Sequence, residues 1–353
     1  MIDCTVVVDV GSRITRIGLA GENEPRLEYR SLFGTPKYPK EEKVIIYGDE
    51  ASKKRGILKC SYPIVDGVIN IENMIKIIDY GLESINMKTS VKNLVLTSSA
   101  IFDDRIKNDI AKQLFEYFEL ERLYIPYQAQ MSLIAEGYSN GIVIDIGHQG
   151  TYVTPIIDGK PFSIGMFKTP IGMKKIVPFT SSLLHFSREL FSTEFDFFEY
   201  IVFSCCHFAE SYDEEIKKSS DSLSKTYCDP NSICITLCHE TYMALELLFK
   251  PELDNLEAKG LGTILNECYQ VLKDNNQLNG IDRIVVSGSL SSFNGIVQRL
   301  MNETKGYGFE VNKTKSPTLS AWIGGSIIGS KLIYHHLFTT RSHFIETGSL
   351  IKD

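Results

Sequence analysis

Two short stretches hold residue types suited to gripping a phosphate. Asp9-Val10-Gly11-Ser12 follows the β-rich run Cys4-Thr5-Val6-Val7-Val8, and Asp145-Ile146-Gly147 follows Gly141-Ile142-Val143-Ile144. A tight turn straight after a strand aims successive backbone N–H groups at one spot, which makes an anion-binding concavity. Gly11 and Gly147 would let the backbone approach a phosphate closely, and Ser12 adds a hydroxyl donor. Asp9 and Asp145 end their strands and can hold Mg²⁺ through waters, because that ion keeps much of its hydration shell. A single Asp-x-Gly is also ordinary turn chemistry. The second copy, in the same setting, is what raises the pair above that reading. Ser287-Gly288-Ser289, after a strand and shortly before a helical pattern, supplies a third loop able to approach a nucleotide.

The elements that must position these loops can be read from periodicity. Each Asp-x-Gly is followed by a second β-rich run, residues 15–20 and 151–157, so each reads as a hairpin. The repeat is two-fold, which predicts duplicated domains facing one another and not a solenoid. Between the hairpins, residues 72–87 and 103–118 carry apolar side chains at helical spacing, the second with acidic residues at its start. Leu94-Val95-Leu96-Thr97 and residues 123–125 read as short strands. In the second half, residues 240–249, 261–272 and 293–302 read as helices, and Arg283-Ile284-Val285-Val286 as a strand. The polar, Ser-rich stretch 217–225 reads as an exposed loop.

A chain of 353 residues with 43% hydrophobic and 23% charged residues can form two domains, each with its own core. A net charge of −7 argues against nucleic-acid binding across the whole surface. No apolar run reaches the length of a membrane span, and the first residues carry no basic segment with a cleavage site; an intracellular protein is expected. The eight Cys are then expected to be reduced thiols. Cys205-Cys206-His207, Cys228, Cys234 and Cys238-His239 have irregular spacings, unlike the paired ligands of a zinc site, so core packing is favoured over metal binding.

Several runs together resemble one family. Asp9-Val10-Gly11-Ser12 with Leu19-Ala20-Gly21-Glu22 is similar to the first phosphate loop of actins and actin-related proteins. Tyr47-Gly48-Asp49-Glu50-Ala51-Ser52-Lys53-Lys54-Arg55-Gly56-Ile57-Leu58, followed by Tyr62-Pro63-Ile64-Val65-Asp66-Gly67, and the run Ala321-Trp322-Ile323-Gly324-Gly325-Ser326-Ile327 resemble other runs specific to the same family. The resemblance spans nearly the whole chain, with its clearest gaps in 174–223. It implies an α/β, actin-like ATPase fold of two duplicated domains, or four subdomains, around a central cleft holding ATP and Mg²⁺. The first domain would comprise 1–135 and 320–353, with a small-lobe insertion at 31–62. The second would comprise 136–319, with a lobe insertion at 171–256. By the same resemblance Asp9, Ser12 and Asp145 contact metal waters and phosphate, and Gln128 orients the attacking water.

The departures from the family pattern point to altered chemistry. Arg16 stands where actins place a phosphate-reaching Lys, and its planar fork is not equivalent. The second loop reads Asp145-Ile146-Gly147-His148-Gln149-Gly150 where Asp-x-Gly-Asp-Gly is usual; Gly150 partly restores the turn. Tyr152 replaces a His that assists the catalytic water. Val202-Phe203 falls at the adenine-contacting Lys-Glu pair, Gly288-Ser289 at the double Gly of the adenosine loop, and Thr318 at a Lys near the base. A site that binds ATP but hydrolyses it slowly or not at all is expected. The loop at 35–43 is short and charged, the plug-loop counterpart at 249–256 carries charges among its apolar residues, and the tail lacks an aromatic end. These imply a divergent actin-related subunit of a multiprotein complex, with actin among its candidate partners, and neither nucleic acid nor membrane contacted directly. The complex is expected to be cytoskeletal and cytoplasmic, with a nuclear chromatin-remodelling complex as the alternative; self-polymerisation as a filament ATPase is disfavoured.

Overall fold

The computed structural model describes residues 4–38, 44–100, 102–186, 192–228 and 234–351. Much of the charged stretch within 35–43 and the last two residues of the tail lie outside the described residues. The chain divides into two compact units, Met1–Tyr138 with Leu319–Asp353, and Ser139–Thr318.

The first unit is organised by a mixed sheet. Strands β1 (Thr5–Val10), β2 (Ile14–Leu19), β3 (Leu27–Arg30), β4 (Asn93–Thr97) and β5 (Arg122–Tyr124) lie in the order β3-β2-β1-β4-β5, with Thr339–Thr340 on the β5 edge. Strand β1 pairs antiparallel with β2 and parallel with β4. Every residue of β1 is buried, as expected for a strand covered on both faces. On one face Val6, Val8 and Val10 pack with Ile75, Ile78, Leu82, Ile110 and Leu114, from helices Ile71–Ser84 and Asp104–Tyr117. The latter begins where Asp103 caps it, its carboxylate accepting from the Ile106 N–H at 2.8 Å. On the other face Val7 and Val95 meet Met131, Trp322 and Ile328. Helix Ser320–Ser330 lies there because Gly324 allows it: a Cβ at that position would fall 1.9 Å from the Met131 carbonyl oxygen. Trp322 then donates to the Val7 carbonyl at 3.0 Å. A separate three-stranded sheet, Ile46–Tyr47, Phe33–Pro36 and Leu58–Ser61, forms a small lobe on Leu32, Ala51 and Leu58.

The second unit repeats the pattern. Strands β6 (Gly141–Ile146), β7 (Thr151–Ile157), β8 (Lys160–Pro161), β9 (Phe167–Thr169), β10 (Arg283–Ser287) and β11 (Glu310–Lys313) run β8-β7-β6-β10-β11, with β9 also on β7. Again the central strand is antiparallel to its hairpin partner and parallel to a later strand. Ile142, Ile144 and Ile146 share one core with Ile176, Ile201, Leu245, Leu265 and Leu300. Within it, Arg299 makes two 2.8 Å hydrogen bonds to the Glu246 carboxylate and a third to Glu303, so a buried charge is fully partnered.

Three expectations change in this unit. Cys228 and Cys234 form a disulfide, so eight reduced thiols is not what the structure shows. The antiparallel pairing of Lys225–Cys228 with Cys234–Leu237 sets the two directly opposite, within bonding reach across the ladder. Cys205 and Cys206 are buried in the apolar core, where burial pushes both thiols up from their ordinary range. The stretch 217–225 is not wholly an exposed loop. Ser219 caps a helical turn, Ser220–Leu223, and buried Leu223 packs on Ala209 and Tyr242. The helix read at 293–302 starts at Ile296, because Gly295 sits at φ +87° as its N-cap and Ser289–Ser292 forms a 3₁₀ turn ahead of it.

Candidate functional site

The register of the first sheet builds a row of three side chains at the end of β1. Asp9 lies opposite Arg16 on β2 and opposite Thr97 on β4. Asp9 is 4% exposed, and such a carboxylate must find donors nearby. Thr97 Oγ1 donates to Oδ1, Gln128 Nε2 donates to the same oxygen at 2.7 Å, and Arg16 Nη1 stands 3.5 Å from Oδ2. Arg16 is held at its other side by Glu28 on β3, with Nε 2.8 Å from Oε2. Gln128 reaches Asp9 because it opens helix Gln128–Ala135, whose first N–H is tied to the Ser98 carbonyl just past the end of β4. The structure thus brings Asp9, Arg16 and Gln128 together and adds two residues not anticipated, Thr97 and Glu28. The signal for Thr97 was present: it ends its strand as Ser287 ends the equivalent one.

The hairpin tip above this row has a different use for its glycine than phosphate approach alone. The Gly11 N–H donates to the Ile14 carbonyl at 3.0 Å, and a Cβ on Gly11 would fall 2.7 Å from that oxygen. Gly11 is therefore required by the turn itself. Ser12 is half-buried beside it, its hydroxyl without a hydrogen-bond partner among the described residues.

In the second unit the equivalent row is Tyr152 on β7, Asp145 on β6 and Ser287 on β10. The Gly147 N–H donates to the Gly150 carbonyl at 3.0 Å, repeating the Gly11 turn. The carbonyls of Gly147 and His148 accept from Met173 and Lys174, at the start of helix Met173–Leu183. Gly288, at φ +88°, packs so closely that a Cβ would lie 2.5 Å from Asp145 Oδ1 and 2.5 Å from the Ile146 carbonyl oxygen. Its N–H donates to the Pro317 carbonyl, and the Ser291 hydroxyl returns to the Gly288 carbonyl at 2.7 Å. Asp145, Gly147, Gly150, Ser287, Gly288 and Ser289 thus form one local cluster. Where the resemblance places a Lys-Glu pair, Val202 is fully buried and Phe203 stacks on Phe293, with centroids 5.2 Å apart and planes at 16°. Thr318 is exposed.

The donor set bears on what cation these residues fit. Among the described residues no group of three or more His, Cys, Asp or Glu converges as a direct metal cage. A carboxylate offers about four acceptor sites, and Asp9 has two taken on Oδ1 and one on Oδ2. Asp9, with one acceptor site left, and the half-buried Asp145 are each, taken by itself, an acceptor suited to the waters of a hydrated Mg²⁺. Compared with known families, the chain matches the model described as Actin over residues 3–194 and 192–352.

Proposed function

This chain belongs to the actin family, and we propose that it serves as an ATP-binding structural subunit of a multiprotein complex, with weak or no ATP hydrolysis. The observation that carries this reading is the state of Gln128. Its Nε2 donates to buried Asp9 at 2.7 Å, so one of the two N–H donors that would help orient a water is spent on a carboxylate and the side chain is tethered there. With water as nucleophile, positioning accounts for most of the catalysis of phosphoryl transfer, and Tyr152 offers no imidazole at the other row. Binding needs less. Ser12, Arg16, Gly147, Gly150 and Ser287 to Ser289 supply turns, hydroxyls and one guanidinium for phosphate, while Asp9 and Asp145 would hold Mg²⁺ through its waters. The bound ion would neutralise phosphate charge.

The complex we favour is cytoskeletal and cytoplasmic, because the chain lacks the large insertions of many nuclear relatives. That the chain does not polymerise with itself is supported by the counterpart of the plug loop. Phe249, Leu253 and Leu256 pack against the unit's own core instead of being offered to a neighbour. The test pairs ATP binding with phosphate release and sedimentation. Saturable ATP binding, negligible phosphate release and no ATP-dependent pelleting are expected, with other subunits recovered on affinity purification. Turnover together with nucleotide-dependent pelleting of the pure protein would replace this reading with a self-assembling ATPase.

A further inference from the structure

The Cys228–Cys234 bridge lies on the outer face of a hairpin that no other sheet supports. Among the described residues, strands Lys225–Cys228 and Cys234–Leu237 pair only with each other. Side chains alternate between the two faces of such a ladder. Tyr227 and its cross-strand neighbour Ile235 turn inward and pack against the core of the second unit, with Tyr227 edge-on to Phe197 at 5.9 Å. At the far end Leu237 is fully buried, and Lys225 Nζ donates to the Cys205 carbonyl at 3.0 Å. The alternate rungs turn outward. Thr226 and Thr236 join their hydroxyls at 2.8 Å, and Cys228 and Cys234 carry the disulfide. All four of these residues are exposed.

Exposure decides what such a bond can do. A disulfide is exchanged by thiolate attack on one of its sulfurs, so access governs the rate, and exposed bridges are the labile ones. No free thiol of this unit flanks the bridge. Cys205 and Cys238 lie at the other end of the ladder, three rungs away, and Cys206 and Cys268 are buried in the core. The attacking thiolate must come from outside the unit. A two-stranded hairpin is marginal by itself in water. A covalent tie between cysteines six residues apart therefore does much to keep these strands in register.

We propose that the Cys228–Cys234 bridge is a reversible redox site, opened by external thiols and closed again by an external disulfide, that sets how firmly this hairpin stays on the second unit. A thiolate attacks Sγ of one cysteine, and the other leaves as a thiolate and takes up a proton. A second thiol then displaces the first cysteine from the mixed disulfide. Two electrons pass in all: the bridge becomes two thiols, and the two attacking thiols become a disulfide. The site goes beyond the nucleotide reading and does not depend on it. In the cytoplasmic setting we favour, the glutathione and dithiol pools would supply the thiolate.

The test alkylates the full chain, purified without reductant, with a maleimide and maps the label by mass spectrometry. It does so before and after equilibration under native conditions with dithiothreitol or with reduced glutathione. Cys228 and Cys234 are expected to be blocked at first, freed by dithiothreitol while the chain stays folded, and blocked again on adding oxidised glutathione. Amide hydrogen exchange at 225–227 and 235–237 should quicken by about tenfold or more on reduction, with no comparable change at β6 and β10. The double variant Cys228→Ser, Cys234→Ser should exchange like the reduced chain with or without reductant; should it not fold, the reduced native chain decides. Release by dithiothreitol but not by glutathione supports a dithiol carrier as the source, and release by both supports the glutathione pool. Labelling of both cysteines before any reduction, release only after denaturation, or hydrogen exchange unchanged by reduction would each overturn the proposal. None of these three outcomes bears on nucleotide binding.

Discussion

At the end of the central strand in one unit, an Asp is flanked in register by Arg16 and Thr97; in the other, the matching Asp is flanked by Tyr152 and Ser287. The first is held by side chains: Thr97, Gln128 and Arg16 all donate to Asp9, and Glu28 braces the arginine. The second is crowded by backbone, with Gly288 against Asp145 and the turn carbonyls tied to the start of a helix. A duplicated architecture has kept the position of its carboxylates while changing what fixes them. Polar side-chain networks respond gradually to substitution, whereas interlocked glycine backbone does not. The two rows should therefore fail differently.

Gly288→Ala should do the most damage. A methyl group at φ +88°, 2.5 Å from both Asp145 Oδ1 and the Ile146 carbonyl oxygen, combines backbone strain with a clash. A loss of about 3 kcal/mol or more in chemical denaturation is expected; a native-like midpoint would show that the second row is not backbone-locked. Asp145→Ala should come next in effect, abolishing ATP-induced thermal stabilisation, which for a ligand at a hundred times its Kd is worth about 2.7 kcal/mol. An unchanged ATP-induced shift would remove Asp145 from the site. Thr97→Val, nearly isosteric, deletes one charge-assisted donor to buried Asp9 and should cost about 2 kcal/mol in the same denaturation experiment. If it costs nothing, the side-chain network is not what holds the first row. Glu28→Gln removes the half-exposed brace of Arg16, and its effect on stability should stay within about 0.5 kcal/mol. A loss several times larger would mean the brace is integral to the row and not an orienting contact.

Much of the architecture could be read in advance because it is written in local pattern. Buried strands such as Val6-Val7-Val8 and Ile142-Val143-Ile144 are continuous apolar runs, and the hairpins after them follow from turn chemistry. Helix Asp104–Tyr117 announced itself through the acidic residues at its start and its stripe. The Ala321 to Ile327 run was legible as a family motif, but its reason, Gly324 against the Met131 carbonyl, was not. The disulfide was missed because it depends on a cross-strand register, and Leu223 because one apolar residue in a polar run gives no period.

The sequence alone determined that two Asp-x-Gly hairpins exist, that each follows a buried strand, and that Arg16 and Gln128 depart from or match the family at known positions. Each of those facts is contained in a short run of residues and needs only strand and turn propensities or a local motif. Tertiary structure decided what the residues do to each other. Thr97 and Gln128 are 88 and 119 residues from Asp9 along the chain. Only the parallel pairing of β1 with β4, and the helix that starts just beyond β5, places both donors on one carboxylate oxygen. Gly288 meets Asp145 by the same means, through the parallel pairing of β6 with β10. Long-range register is a property of the folded sheet and not of either strand, so the acid at each hairpin could be seen in the sequence and its partners could not.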